Sequence, residues 1–370
     1  MSDRDFMRRA LELAAKGRGE VNPNPMVGAV IVRNGRIIGE GYHERYGGLH
    51  AERNAIADCL KRGESAEGAT IYVTLEPCCH YGKTPPCTEA IIDNKISRVV
   101  IASPDPNPKV GGKGVKILRN NGIEVTENVL RDECDRLNAV FLHYITTGMP
   151  YVVMKYAMTL DGKIAAYTGK SRWISSEASR ADAHILRGGL ASIMVGAGTV
   201  ISDDPLLTCR TGGGKNPIRI VCDTHLRTPL SAQIIKTADE TKTIIATCES
   251  DEKRIAPYFE RGCEVIHVPE KDGRTDISAL MRELGRRGID SVLLEGGAEL
   301  NFSALKAGVV SRVRAYVAPM LLGGSNAKSP VGGLGFASPD EAVKIVSPEV
   351  KFLGGDIVIE GGVEYCLREL

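Results

Sequence analysis

The chain has 370 residues, 43% hydrophobic and 25% charged, which is the balance of a globular protein with a full core and a length that favours two domains over one. Lysine and arginine number 47 against 46 aspartate and glutamate, so no long-range field exists to steer a nucleic acid or an anionic membrane. No apolar run approaches the roughly 20 residues that span a bilayer, the Met1–Asp5 start lacks a secretory pattern, and 10 cysteines are too sparse for a disulfide scaffold; a reduced, cytoplasmic chain with no membrane partner is expected.

In chain order, Ser2 and Asp5 make a capping box before a helix whose apolar face is Phe6, Ala10, Leu13 and Ala14. Val27–Val32 reads as a strand, and Asn34-Gly35 turns it into a second one over 36–41. His50–Lys61 predicts a helix, 70–75 a strand, 85–94 a short helix opened by Thr84 as N-cap, 98–102 a strand, and 130–146 a closing helical stretch. Thr147-Gly148-Met149-Pro150 is the best boundary, because glycine stops a helix and proline starts an extended segment. It divides the chain into domains 1–147 and 150–370. Beyond it, strands are predicted at 151–157, 192–196, 218–223, 243–247, 264–268, 291–295 and 312–318, with helices at 176–187 and 277–286 among those between them. This pattern specifies an α/β domain on a largely parallel sheet.

The densest chemistry lies at His50-Ala51-Glu52 and in the run Pro77-Cys78-Cys79-His80-Tyr81-Gly82-Lys83-Thr84-Pro85-Pro86-Cys87. A hydrolytic zinc site uses three protein ligands and leaves a fourth position for water, and His50, Cys78 and Cys87 supply that number. Glu52, two residues beyond His50 on the same helix, points elsewhere and suits proton transfer between water and a leaving amine. Cys87 falls in the first turn of a helix, where free N–H groups favour a thiolate. A structural zinc closed by Cys79 or His80 is the alternative; the order His-x-Glu…Pro-Cys…Cys is that of zinc-dependent nucleobase deaminases. Those enzymes have two residues between the cysteines. Here there are eight, which predicts a loop over 80–86 near the pocket mouth.

With Asn22-Pro23-Asn24-Pro25-Met26-Val27-Gly28, these two runs resemble the pyrimidine deaminase of riboflavin biosynthesis. Leu160-Asp161-Gly162-Lys163, Ser171-Arg172-Trp173-Ile174 and Asp203-Asp204-Pro205-Leu206-Leu207-Thr208 extend the resemblance over the whole chain to the bifunctional RibD/RibG family. It implies an N-terminal cytidine-deaminase-like three-layer domain followed by a C-terminal dihydrofolate-reductase-like α/β domain. It also implies two reactions on a phosphorylated pyrimidinone: hydrolytic loss of a ring amino group with zinc, then NADPH-dependent reduction of ribosyl to ribityl. Asn24, His43 and Lys83 would line the deaminase pocket. Lys83 is either a phosphate partner or a solvated loop charge, and Asn24 either a fixed amide or part of an Asn-Pro turn.

No Gly-x-Gly-x-x-Gly fingerprint follows the first strand of the second domain; glycines follow two later strands, at Gly196-Ala197-Gly198 and Gly296-Gly297. Such turns let backbone N–H groups approach a pyrophosphate at a helix N-terminus. The resemblance assigns Ala157, Trp173, Thr199, Asp203, Thr224 and the run Gly297, Ala298, Glu299, Leu300, Asn301, Phe302, Ser303 to NADPH. It assigns Ser171, Arg187, Leu207, Arg210 and Glu295 to the reductase substrate, with the two arginines suited to its phosphate. On the residues alone, Trp173 reads as core or interface more readily than as a cofactor contact, and Lys155 and Asp161 lie at or after the end of the first strand with no derivable role. A homo-oligomer acting on small molecules and no nucleic acid is expected. The competing function is a deaminase whose second domain binds without reducing; an editing deaminase lacks the basic stripe it would need, and a zinc-stabilised scaffold would be excluded by a fold that survives chelation while activity is lost.

Overall fold

A computed structural model describes residues 1–82, 84–107, 110–210 and 215–365. The chain divides into two compact units, Met1–Gly148 and Met149–Leu370.

The N-terminal unit runs α1 (Asp3–Ala14), β1 (Gly28–Arg33), β2 (Arg36–Tyr42), α2 (Ala51–Lys61), β3 (Thr70–Leu75), α3 (Cys87–Asp93), β4 (Arg98–Ser103), α4 (Lys113–Asn120), β5 (Glu124–Thr126), α5 (Arg131–Leu137) and α6 (Ala139–Thr147). Its sheet has the order β2-β1-β3-β4-β5. β1 is antiparallel to β2 and β3, and β3, β4 and β5 are mutually parallel. Alternation along the strands makes two cores. Ala29, Ile31, Ile71, Val73, Val99 and Ile101 pack with α2, α3 and α4 residues on one face. Val30, Val32, Tyr72, Val100 and Ala102 pack with Phe6, Met7, Ala10 and Leu13 of α1 on the other. The result is three layers, helix on sheet on helix.

Two local expectations change. The helix expected over 85–94 starts at Cys87, with Pro86 in extended geometry (φ −52, ψ 141) as N-cap, so Thr84 does not cap it. Each of Thr84 and Pro85 precedes a proline, which disfavours helical geometry at both. The helix expected over 130–146 breaks at Asn138 (φ −101, ψ 20). The amide of Asn138 donates to the Met26 carbonyl and its oxygen accepts from the Met26 N–H, at 2.9 and 2.8 Å, tying the break to the segment that carries Asn24.

The C-terminal unit runs β6 (Tyr151–Thr159), α7 (Glu177–Gly189), β7 (Ser192–Gly196), α8 (Ala197–Asp203), β8 (Ile218–Cys222), α9 (Gln233–Lys236), β9 (Thr243–Thr247), α10 (Glu252–Phe259), β10 (Glu264–His267), a small hairpin of β11 (Glu270–Lys271) and β12 (Arg274–Thr275), α11 (Ile277–Arg286), β13 (Ser291–Leu294), α12 (Ala298–Lys306), β14 (Val310–Ala318), β15 (Lys344–Leu353) and β16 (Asp356–Glu364). The main sheet has nine strands in the order β10-β9-β8-β7-β13-β6-β14-β16-β15. It is parallel from β10 through β14, and β16 and β15 add an antiparallel hairpin to that edge. Val152, Met194, Ile220, Ile244 and Val292 face α11 and α12; Val153, Ile193, Val221, Ile245 and Leu293 face the core shared with α8, α9 and α10. β6 continues to Thr159, which places Lys155 inside the strand rather than at its end. Among the described residues, no helix is long and apolar enough to cross a membrane.

Candidate functional site

In the N-terminal unit, two elements deliver one cluster. His50 is the extended N-cap of α2, and Glu52 lies in that helix's first turn. Helix α2 rests directly on β2 because β2 carries glycines: a Cβ on Gly41 would sit 2.3 Å from the Ala55 nitrogen and 2.6 Å from the Ala51 carbonyl oxygen. Cys78 follows β3 past Pro77, and Cys87 begins α3. The imidazole Nδ1 of His50 lies 3.4 Å from the Sγ of Cys78 and 3.4 Å from that of Cys87. The Cys87 N–H also points at the Cys78 sulfur, at 3.4 Å. All three ligand atoms fall within 4.8 Å of one another, and among the described residues this is the group of that kind; Cys79 and His80 are outside it. One imidazole and two sulfurs at this spacing fit a zinc ion with a fourth position left for a small molecule.

The electrostatics agree with that donor set. The hydrogen bond between the two thiols, reinforced by His50, pulls Cys78 well below the ordinary thiol range. Cys87 moves upward because it keeps the proton the pair shares and is buried. Metal binding would release that proton. Glu52 is almost fully buried, and burial, with the Cys78 sulfur nearby, raises its carboxyl. A carboxyl shifted toward neutrality can both take and return a proton.

His50, Glu52 and Cys78 line a cavity of 280 Å³ whose walls also include Asn24, His43, His80, Thr84, Asp105 and Asn107. His43 donates from Nδ1 to the Leu49 carbonyl at 3.0 Å, which leaves Nε2 to accept from the Asn24 amide at 3.2 Å. Burial lowers the His43 pKa, so the neutral ring holds this tautomer. That bond fixes the Asn24 amide, and Asn24 lines the cavity. Lys83 lies outside the described residues; its neighbours Gly82 and Thr84 do line the cavity. Asp105 and Asn107, whose Asp-Pro-Asn-Pro run reads equally as a turn, are wall residues, and burial pushes the Asp105 carboxyl up to about 6. Glu76 was invisible to motif reading. It is buried and accepts the N–H groups of Gly112 at 3.0 Å, Val115 at 3.3 Å and Asp105 at 3.4 Å, tying the Asp105 loop to the limb that carries Cys78.

In the C-terminal unit, β7 and β13 are adjacent parallel strands, and each runs into a helix through glycine. A Cβ on Gly297 would lie 3.6 Å from the Thr199 hydroxyl, so the two glycine turns and Thr199 are gathered together. A Cβ on Gly296 would lie 2.9 Å from Oδ1 of Asn301, which is buried without a hydrogen-bond partner among the described residues. Two helix N-termini over Cβ-free backbone form a cradle that fits a pyrophosphate. Ala157 lies in β6, the neighbour of β13, and Thr224 follows β8, its hydroxyl accepting the Thr275 N–H at 3.2 Å. Asp203 ends α8. Ser171 and Trp173 precede α7. Trp173 is 64% exposed, with the Arg180 guanidinium 4.4 Å above its ring, so it is not core.

Among the substrate assignments, Arg187 and Glu295 meet directly. Arg187 donates to both carboxylate oxygens at 2.8 and 2.9 Å, and Lys155 stands 3.8 Å from the same group. Burial works to raise the Glu295 carboxyl, but Lys155 and Arg187 outweigh it and bring it down to about 2. Arg187 therefore enters with its guanidinium already engaged, and a substrate phosphate would have to share it. Arg210 has its N–H on Nδ1 of His184 at 3.3 Å. Leu207 is buried in the core with α8 (φ +54) and offers backbone rather than side chain. Within α12, Glu299 pairs with Arg274, Ser303 caps back onto the Glu299 carbonyl, and Phe302 packs edge-on against Phe336.

Residues 1–103 match the family model for the cytidine and deoxycytidylate deaminase zinc-binding region, and residues 150–359 match that of the RibD C-terminal domain. The chain is 51% identical to the riboflavin biosynthesis protein RibD of Actinobacillus pleuropneumoniae, over 97% of this chain and 95% of that one. It is 44% identical to RibD of Aquifex aeolicus, over 96% and 97%. A crystal structure of a diaminohydroxyphosphoribosylaminopyrimidine deaminase/5-amino-6-(5-phosphoribosylamino)uracil reductase from Thermotoga maritima superposes with a TM-score of 0.87 at 40% identity, covering 98% of this chain and 99% of that one. With both halves matched and relatives aligned nearly end to end, the chain belongs to the RibD family of bifunctional deaminase–reductases of riboflavin biosynthesis.

Proposed function

We propose that the N-terminal unit deaminates 2,5-diamino-6-ribosylamino-4(3H)-pyrimidinone 5′-phosphate and that the C-terminal unit reduces the product's ribosyl group to ribityl with NADPH. The observation that carries the reading is the His50, Cys78, Cys87 cluster, two of whose members, His50 and Cys78, line a cavity together with the buried Glu52. Zinc held by those three residues supplies a Lewis acid that makes water nucleophilic near neutral pH. Glu52 takes a proton from the attacking water and passes it to the departing amine, so water and the amino-pyrimidine become a carbonyl and ammonia. Asn24, oriented by His43, offers a fixed hydrogen bond to the ring; Lys83 in the expanded loop is the proposed cation for the phosphate.

In the second unit, bound NADPH would supply the hydride that reduces the sugar carbon bearing the amine; the ring C–O bond at that carbon opens and its oxygen takes a proton from solvent. The chain's part is positioning. Thr199 and the Gly297–Ser303 run hold the pyrophosphate end, with Ala157, Trp173, Asp203 and Thr224 as further contacts. Ser171, Leu207, Arg210, Arg187 and Glu295 hold the substrate. The protein is proposed to act in the cytoplasm, on small molecules rather than nucleic acid, as a homo-oligomer. Val350 and Phe352, 61% and 78% exposed on edge strand β15, support a second copy covering that strand.

A coupled assay on the pyrimidinone phosphate tests the reading. One ammonia released and one NADPH oxidised per substrate are expected. Ammonia release with no NADPH oxidation would leave a deaminase with a non-reducing binding domain, and no ammonia would end the proposal for the first unit.

A further inference from the structure

Asp161 belongs to the Leu160-Asp161-Gly162-Lys163 run, and the proposed chemistry gives it no task. Its surroundings do. After β14 the chain takes an irregular course over residues 319–338, far longer than an ordinary connection. The start of this strap is fastened to the turn that follows β6. Oδ1 of Asp161 accepts the Leu322 N–H at 3.1 Å, and Oδ2 accepts the Gly323 N–H at 2.6 Å. The backbone adds two more ties: Leu160 N–H to the Met320 carbonyl and Ile164 N–H to the Lys328 carbonyl, both 2.9 Å. Gly323 and Gly324 hold positive φ, 64 and 86, which lets the strap present consecutive N–H groups to one carboxylate.

The far end of the strap lies on the first turns of α12. Asn301 donates from Nδ2 to the Pro330 carbonyl at 2.8 Å, the Gly332 N–H reaches the Ala298 carbonyl at 2.9 Å, and the Gly333 N–H reaches Oε1 of Glu299 at 3.1 Å. A Cβ on Gly333 would lie 2.1 Å from the Phe302 ring. One segment thus runs from Asp161 to the helix turn proposed to receive the pyrophosphate.

We infer that Asp161 is a positioning residue, which anchors the 319–333 strap as a wall of the NADPH cleft and takes no part in proton transfer. The inference rests on the proposed NADPH site at α12. Both carboxylate oxygens are occupied by donors, and the Thr159 hydroxyl adds a third bond to Oδ1 at 2.5 Å. That bond and the one from Gly323 draw the carboxyl down to about 2, so at neutral pH it holds no proton to give.

The test uses the full chain and Asp161→Asn and Asp161→Ala. NADPH binding is followed by fluorescence, and steady-state reduction is measured with pre-deaminated substrate across pH. Backbone amide exchange is read at Leu322 and Gly323, with β-strand amides as a check on folding. Loss of a charge-assisted anchor should raise the Kd and KM for NADPH roughly tenfold. With saturating NADPH, kcat should fall by less than about threefold and keep its wild-type pH profile. Exchange at the two strap amides should accelerate while the strands stay protected. A fall in kcat of about 10² or more at unchanged KM, with one limb of the pH profile lost, would make Asp161 an acid or base and overturn the inference. Unchanged amide exchange in both variants would overturn it equally. Failure of the wild-type chain to bind NADPH would remove the proposed site and the inference together, whereas wild-type binding that the variants match would remove the inference alone.

Discussion

His50 shows function displacing a stabilising choice at a single position. It is the N-cap of α2, where Ser, Thr, Asp or Asn would satisfy a free helix N–H, and its side chain makes no capping bond. The imidazole is turned instead toward two sulfurs 3.4 Å away, at a cost of about 1 kcal/mol in lost capping. The neighbouring cysteines discriminate in the same way. Cys78 points into the cluster and Cys79, one residue on, lies outside it. Cys79→Ser should therefore retain one zinc per chain and most deamination, while Cys78→Ser should lose both. Metal content by atomic absorption, set beside ammonia release, checks this. Loss of zinc from Cys79→Ser would mean that the ligand set is drawn wrongly.

Elements with a strong local period were legible, and those set by tertiary contacts were not. Strands β1, β3 and β4 carry continuous apolar runs, and α2 combines an apolar face with a clear start. By contrast α4 follows Gly111-Gly112 and owes its start to the buried Glu76 carboxylate, a partner 36 residues away for Gly112. The β15–β16 hairpin was missed because β15 is exposed along nearly its whole length and includes Pro348, so no alternation betrays it. The break at Asn138 arises from its bonds to Met26, 112 residues distant, which no window of sequence contains. At the site, the grouping of His50, Cys78 and Cys87, with Glu52 beside it, was legible because the motif spacing brings those residues together. Glu76 was not, because its work is done through backbone N–H groups. Close packing of α2 on β2 gives this scale its own test. A methyl on Gly41 would overlap the Ala55 nitrogen, at 2.3 Å, and α2 would have to retreat from the strand. Gly41→Ala should cost about 1–3 kcal/mol, the usual range for overpacking. For a unit of this size that is a drop of roughly 2–12 °C in Tm. Deamination should fall with it, because His50 and Glu52 ride on the same helix. An unchanged Tm by calorimetry would show that the contact is softer than the geometry implies.

Across the whole molecule, the chemistry is partitioned between two units, each with its own sheet and its own pair of cores. The zinc cluster and Glu52 lie wholly within Met1–Gly148; the glycine cradle and the Arg187–Glu295–Lys155 group lie wholly within Met149–Leu370. Neither set borrows a residue from the other, so the two activities should fail independently. Glu52→Gln preserves the volume of the side chain and removes its ability to take a proton. Ammonia release should fall by the ~10²–10⁴ expected when a positioned acid–base group is lost. Reduction of substrate already deaminated should continue at the wild-type kcat and KM for NADPH. Arg210→Ala should do the reverse. Ammonia release continues, and the KM for the deaminated substrate rises more than kcat falls, because a phosphate contact made equally in ground and transition states is uniform binding. Assaying both variants with and without the substrate's 5′-phosphate separates the roles. If removal of the phosphate weakens wild type and Arg210→Ala by the same factor, Arg210 is not its partner, and Arg187, released from Glu295, becomes the residue to test.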